Sequence, residues 1–314
     1  MSQNLKIEEI TNKVQRCELL EGPHWDVELQ SLYFVDILGP AIFRYCYKNR
    51  EIYRATIKDK EETRIGFIIP VDNNTTEFVV GLGKELTIIK WDGKSVQATV
   101  VEVLAKVDSN IDEYRINDGK CDPHGLVYFG TMGDPIDKTL SEKLPGSLYR
   151  YDVLSKSLVN MRDRIGIGNG LTWNEKLGKF YYIDSVTRNI KVFDYDSLSG
   201  NFSNEEVLID FSKTHTESFL PDGMTIDENG LIYVATWNGS KIIIIDSTTK
   251  TIKNEIIFPT AKITSAAFGG PNLDILYVTT AIGHNNAKVG SAGGLFKVTG
   301  PNIKGPEMIK FKMY

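Results

Sequence analysis

Cysteine, histidine and clustered positive charge are scarce in this 314-residue chain, and each scarcity closes off a class of function. There are three cysteines, Cys17, Cys46 and Cys121, an odd number at no metal-like spacing. That excludes a disulfide framework and a cysteine-rich zinc site, and it suits free thiols in a reducing compartment. Lysine and arginine number 36 against 41 aspartates and glutamates, for a net charge of -5, with no basic run. The electrostatic footprint of a nucleic-acid binder is therefore missing. No apolar run is long enough to span a bilayer, and Met1 to Ile10 lack the apolar core of a signal peptide. The expectations are a cytoplasmic location, no nucleic-acid or membrane partner, and a monomer or weak dimer acting on a small molecule.

Helical periodicity is rare as well. What fills the chain is β-branched and aromatic runs punctuated by Gly, Asn and Asp. Six short apolar strands each carry an aromatic at a repeated place: Tyr33, Phe78, Tyr128, Tyr181, Tyr233 and Tyr277, spaced 45, 50, 53, 52 and 44 residues apart. A second strand follows each, and an edge strand follows several, such as Ser95 to Val103. A repeat of about 50 residues signals a propeller or solenoid, and it accommodates four antiparallel strands. A solenoid of such units would need caps, whereas a ring does not. The expected fold is all-β, a six-bladed β-propeller with four-stranded antiparallel blades around a central channel, residues 1–314 forming one domain. Lys6 to Ile10 and Met308 to Lys312 read as strands that pair to close the ring. The weakly patterned stretch from Gly133 to Leu144 is a candidate lid.

Before each aromatic strand lies an inner strand, and its entry residues carry the chemistry. They are Glu21-Gly22-Pro23, Asn117-Asp118-Gly119, Asn169-Gly170-Leu171 and Pro221-Asp222-Gly223 in the first, third, fourth and fifth units. In the second and sixth units Phe67 to Pro70 and Thr264 to Ala267 occupy the place. A polar residue beside Gly is, taken singly, an ordinary turn. Four in phase with the repeat are more than that, because inner strands of a propeller face one another across the channel. Glu21 and Asp222 supply two carboxylates and Asn169 an amide oxygen, with Asn117 a fourth possible oxygen. Such donors suit a hard divalent cation, and two carboxylates buried together without one would repel. His24 and His124 read as surface or packing residues. Asp36, Asp184 and the turn Asp227 to Gly230 fall at the opposite phase of the unit and read as loop caps.

At these residues the chain resembles the senescence marker protein (regucalcin), gluconolactonase and luciferin-regenerating enzyme family. The motifs that carry the likeness are Glu21-Gly22-Pro23, Arg115 to Lys120, Asn169-Gly170-Leu171 and Pro221-Asp222-Gly223. The stretches Glu21 to Asp26 and Phe268 to Asp274 are similar to insect members. The resemblance implies a six-bladed propeller with one divalent ion (Ca²⁺, Zn²⁺, Mn²⁺ or Mg²⁺) held by Glu21, Asn169 and Asp222, and Arg115 and Asn117 at substrate-contact positions. It also implies metal-dependent hydrolysis of a lactone. One departure stands out. Vertebrate members carry a Glu three residues after the Met of their Gly-Thr-Met, a group that helps hold a sugar, and here Pro135 stands there beside Asp134. Ile116, if it lines the mouth, favours a less polar substrate.

The expected function is a lactonase in which an ion polarises the carbonyl, Asp222 is both ligand and general base, and Arg115 and Asn117 orient substrate. Two alternatives share the scaffold: hydrolysis of oxyluciferin, and a non-catalytic calcium-binding role.

Overall fold

The computed structural model describes residues 4–11, 16–107, 114–133, 145–282 and 291–313. Among these residues, twenty-four strands and two helical turns make up the regular structure. After β1 (Lys6–Glu9) come β2 (Leu20–Asp26), β3 (Ser31–Asp36), β4 (Ala41–Cys46) and β5 (Glu51–Ile57). The next group is β6 (Ile65–Pro70), β7 (Glu77–Leu82), β8 (Glu85–Lys90) and β9 (Gln97–Lys106). Then follow β10 (Tyr114–Cys121), β11 (Val127–Gly133), β12 (Gly146–Asp152) and β13 (Ser157–Ile165). The fourth group is β14 (Gly168–Asn174), β15 (Lys179–Asp184), β16 (Asn189–Asp196) and β17 (Asn201–Asp210). The fifth is β18 (Leu220–Ile226), β19 (Leu231–Trp237), β20 (Lys241–Asp246) and β21 (Thr251–Ile257), and the chain ends with β22 (Ile263–Gly269), β23 (Ile275–Thr280) and β24 (Phe296–Thr299).

Burial grades across each group. The second strands are buried on both faces and read as continuous apolar runs, as in β3 and β23. The fourth strands are mostly exposed and polar, as in β17. A strand sandwiched between two neighbours needs apolar side chains on both faces, and an outer one does not. Among the described residues, six apolar clusters sit between consecutive groups, one of them joining β22–β24 back to β2–β4. The repeated aromatics stitch these layers. Tyr33 packs on Phe78 at 4.8 Å between ring centroids, and Trp25 stacks on Tyr277 at 5.4 Å. The inner strands β2, β6, β10, β14, β18 and β22 pack side by side in that order and return to β2.

The fold is thus all-β and propeller-like with four-stranded sheets around an axis. It departs from the expectation in how the first two sheets meet. Four sheets have four strands, but the first two groups merge into one eight-stranded sheet. They join through a short parallel pairing of outer strands, Thr56 with Gln97 and Ile57 with Ala98.

Ring closure also differs. β1 pairs antiparallel with β24, Ile7 opposite Val298, so the N-terminal strand completes the last sheet. The C-terminal segment pairs elsewhere, through a parallel bridge of Phe311 with Val71, and Lys310 pairs with Asp26 at 3.2 Å. Its alternation fits a strand, but β24 had one free edge and β1 took it. The candidate lid, Gly133 to Leu144, lies outside the described residues apart from Gly133 itself.

Each inner strand carries a one-residue register shift against its partner. It lies between Glu21 and His24, Ile65 and Ile68, Ile116 and Gly119, Gly168 and Leu171, Pro221 and Met224, and Ile263 and Ser265. These are β-bulges, which bend a strand and re-aim side chains. The glycines within them allow close approach around the axis. A Cβ on Gly66 would meet the Asn117 carbonyl oxygen at 2.2 Å, and one on Gly170 the Met224 nitrogen at 2.7 Å. Gly22 also sits at φ 54°, in the left-handed region that disfavours a side chain. Gly66→Ala and Gly170→Ala are each expected to destabilise the fold by about 2 kcal/mol, read as a lower urea midpoint with an unchanged slope.

Candidate active site

The bulges deliver the polar residues to one place. Glu21, Asn169 and Asp222 are each 6 % exposed, and all three line a single cavity with Arg115, Asn117 and Ser185. The expected juxtaposition of these five sequence-derived residues is therefore present. Asn169, Asp222 and Asn117 lie within bulges, and Glu21 at the edge of one. The cavity measures about 50 Å³ among the described residues. A roomier one of about 390 Å³ opens at the far end of the inner strands. It contains none of the five.

Hydrogen bonds wire the polar residues to one another. Arg115 Nη1 donates to Asn117 Oδ1 at 2.7 Å and to the Ile116 carbonyl at 3.1 Å. Asn117 Nδ2 donates to the Gly168 carbonyl at 2.9 Å and to Asn169 Oδ1 at 3.1 Å. Asn169 Nδ2 donates to Ser185 Oγ at 2.8 Å, and that hydroxyl donates to the Pro221 carbonyl at 2.6 Å. One chain of bonds thus runs from Arg115 through Asn117 and Asn169 to the strand bearing Asp222. Asn117 is the link that fixes Arg115 relative to Asn169.

Electrostatics single out the carboxylates. Burial pushes Glu21 well above the usual carboxylate range, and the charges of Asp222 and Asp118 push further. The Gly22 amide, 3.0 Å from Glu21 Oε2, and the Arg115 charge oppose this. Asp222 is also raised well above its range, by burial and then Asp118, against Arg115, Asn169 and Gly223. Asp118 is itself raised by burial, eased by the Lys120 charge and the Gly119 amide. Two buried carboxylates held against ionisation fit a cation between them, since its charge offsets both burial and repulsion. Asn169 Oδ1 accepts one bond and has a second lone pair to offer. The donor set, two carboxylates and an amide oxygen, is that of a hard divalent ion. Among the described residues no group of three His, Cys, Asp or Glu side chains converges. The site depends on the amide.

Several residues depart from the sequence reading or lie beyond it. Ile116 does not reach the cavity: it is buried in the core against Gly81 and the Phe67 ring. Asp36 and Asp184 do cap loops, accepting from the backbone of Leu19 and Ile167, but they sit at the cavity end of the strands. Asp227 caps the opposite end. His24 is a buried packing residue pushed down to about 3 by burial and by the Lys120 and Lys310 charges. Ser185 is a site residue that the sequence reading does not single out, although its place directly after the repeated Asp184 is a usable signal.

Comparison with known proteins places the chain among relatives. The sequence profile of the SMP-30/gluconolactonase/LRE-like region matches residues 19–282. Regucalcin from Pongo abelii is 32 % identical over 295 residues, 93 % of this chain and 94 % of that one. Bacillus subtilis YvrE, whose name proposes a sugar lactone lactonase, is 36 % identical over 292 residues, 90 % of this chain and 91 % of that one. A solved structure of a luciferin-regenerating enzyme is 35 % identical with a TM-score of 0.89, covering 98 % of this chain and 100 % of that one. The match over residues 19–282, with relatives above 30 % identical across most of the sequence, makes this chain a member of the SMP-30/gluconolactonase/LRE-like family.

Proposed function

We propose that the chain is a divalent-metal-dependent hydrolase of a small molecule, a lactonase, at the hub of a six-bladed ring that residues 1–314 form as one domain. The count of six treats the eight-stranded sheet as two blades joined at their outer edges, in keeping with the apolar clusters between consecutive groups. The observation that carries the function is the burial of Glu21 and Asp222 in one cavity with Asn169. These three would hold one ion, Ca²⁺, Zn²⁺, Mn²⁺ or Mg²⁺. Such an ion, when bound, polarises a carbonyl and lowers the pKa of water.

The remaining work falls to the chain. Asp222 takes a proton from the water that adds to the lactone carbonyl carbon, and returns it to the ring oxygen as the carbon–oxygen bond breaks. Arg115 faces the negative charge that builds on the carbonyl oxygen. Asn117 and Ser185 fix the two ends of the wiring, so these groups need little reorganisation. A cytoplasmic location fits three cysteines that form no disulfide. No described helix is long and apolar enough to cross a membrane.

The likeness to a luciferin-regenerating enzyme over 98 % of the chain favours a second reading, hydrolysis of oxyluciferin at the same site. The regucalcin relatives support a third, calcium binding without turnover.

Hydrolysis of a lactone panel and of oxyluciferin, assayed side by side with chelated and metal-restored protein, decides among them. Asp222→Asn is expected to lower kcat/KM by about 10²–10⁴, the range of a general base. Arg115→Met is expected to lower it by about 10²–10³. Undiminished turnover in Asp222→Asn, or no metal-dependent turnover in the wild type, would count against the proposal.

Stability carries its own signature. Folding without the ion raises Glu21 and Asp222 above their unfolded values of about 4. Their contribution is therefore most favourable below about pH 4 and is lost as pH rises through the raised folded values. Chelated Asp222→Asn should melt above chelated wild type at about pH 8, with the gap closing towards about pH 5. Adding the ion should raise the wild-type Tm and leave that of Asp222→Asn little changed.

A further inference from the structure

Most of the polar half of the cavity is committed to itself, apart from what Arg115 offers the reacting carbonyl. Asn117 uses both ends of its amide, Ser185 bonds on both sides, and Arg115 Nη1 serves Ile116 and Asn117. The remaining oxygens of Glu21, Asn169 and Asp222 are those assigned to the ion. The other half, among the described residues, is apolar: Leu19, Ile37, Met132, Ile167, Leu220 and Trp237. A polyhydroxylated ring placed against that wall would shed water from its hydroxyls and gain no partners there. An alkyl or aromatic body would be favoured by the same burial.

Trp237 is the wall's largest member and is built to stay put. It is half-buried at the end of β19, opposite Leu220 in the strand pairing, and packs on the apolar cluster containing Leu19 and Ile37. Lys262 Nζ lies 4.8 Å from the centre of its ring, a cation–π contact, and the same ammonium donates to the Ile282 carbonyl at 3.3 Å. A rigid, pre-placed ring is a selective surface, because little freedom remains to be lost on binding.

We propose that the substrate of this site is a lactone or ester whose reacting carbonyl is flanked by an apolar alkyl or aromatic body lying against Trp237, with Lys262 as the positioning residue for that ring. This rests on the hydrolase reading above and narrows it. The reaction is unchanged: water adds and one carbon–oxygen bond breaks, giving a single apolar hydroxy acid from a lactone, or an apolar acid and an alcohol from an ester.

The test compares two δ-lactones, one polyhydroxylated (gluconolactone) and one carrying an alkyl chain (δ-decalactone). Wild type is expected to prefer the alkyl lactone in kcat/KM by at least about tenfold, the effect of a few apolar contacts. Trp237→Ala should erase most of that preference and Trp237→Phe retain most of it. Lys262→Met should raise KM for the alkyl lactone with kcat little changed, and Lys262→Arg should restore it. Preference for gluconolactone, or equal losses on both substrates in Trp237→Ala, overturns the inference and leaves the hydrolase reading standing. If neither lactone is opened, the hydrolase reading falls, and calorimetry with the two matching lactams still decides the inference. Tighter binding of the alkyl lactam, weakened by Trp237→Ala, supports it, and equal or weaker binding overturns it.

Discussion

Every innermost strand holds one residue more than the strand beside it at the same height, and the site exists because of that mismatch. A regular strand sends alternate side chains to its two faces, and here both faces are filled by neighbouring sheets. A side chain can be sent towards the axis only where the alternation breaks. The extra residue supplies the break, and a glycine beside it lets the next inner strand come close enough to share hydrogen bonds. The same local device, repeated around the ring, turns apolar strands into a polar hub.

That hub is costly in the absence of a cation. On top of burial, the Asp118 charge raises both Glu21 and Asp222, and Asp222 raises Glu21 further. The Arg115 charge opposes this at both groups, and the Lys120 charge eases Asp118. Lys120 is itself pushed down to about 8 by burial, against the Asp118 charge, and donates to the Met224 carbonyl at 2.7 Å. The surrounding sheets tolerate this because their apolar layers are continuous and close on themselves. Stability is gathered between the sheets, and the destabilising charges are kept on the axis, where they can act together.

How much of this is legible in the sequence follows from range. The second-strand aromatics mark each repeat because their burial on both faces leaves a strong local pattern, and the polar-Gly slots mark the bulges. Gly66 stays silent beside Phe67, since a slot without a polar neighbour gives no chemical signal, yet its approach to β10 is among the tightest in the ring. The choice of β1 over the C-terminal segment as partner of β24 is not legible, because both segments alternate and only the free edge decides between them. Ile116 looks like a mouth residue from its position between Arg115 and Asn117. Strand alternation sends it the other way, into the core. The apolar wall is hidden for a different reason: Leu19, Ile37, Ile167 and Trp237 come from distant parts of the sequence and resemble any core residue until they are placed.

The wall and the hub come from different parts of the same units. The polar groups of the cavity sit in or beside bulges of the innermost strands, held by backbone approach and by bonds to one another. The wall residues Leu19 and Ile167 precede those strands, and Ile37 and Trp237 lie at or just past the ends of the second strands. Asp36 and Asp184 hold that junction by accepting backbone amides from the segments leading into β2 and β14. A substitution at a strand end can therefore reshape what is bound without moving what reacts, since the bulge geometry is fixed one layer further in. That separation gives a physical reason why one ring can serve relatives whose names point to different small molecules. The polar positions are bound by the packing of the axis, and the wall is bound only by the need to be apolar enough to seal it.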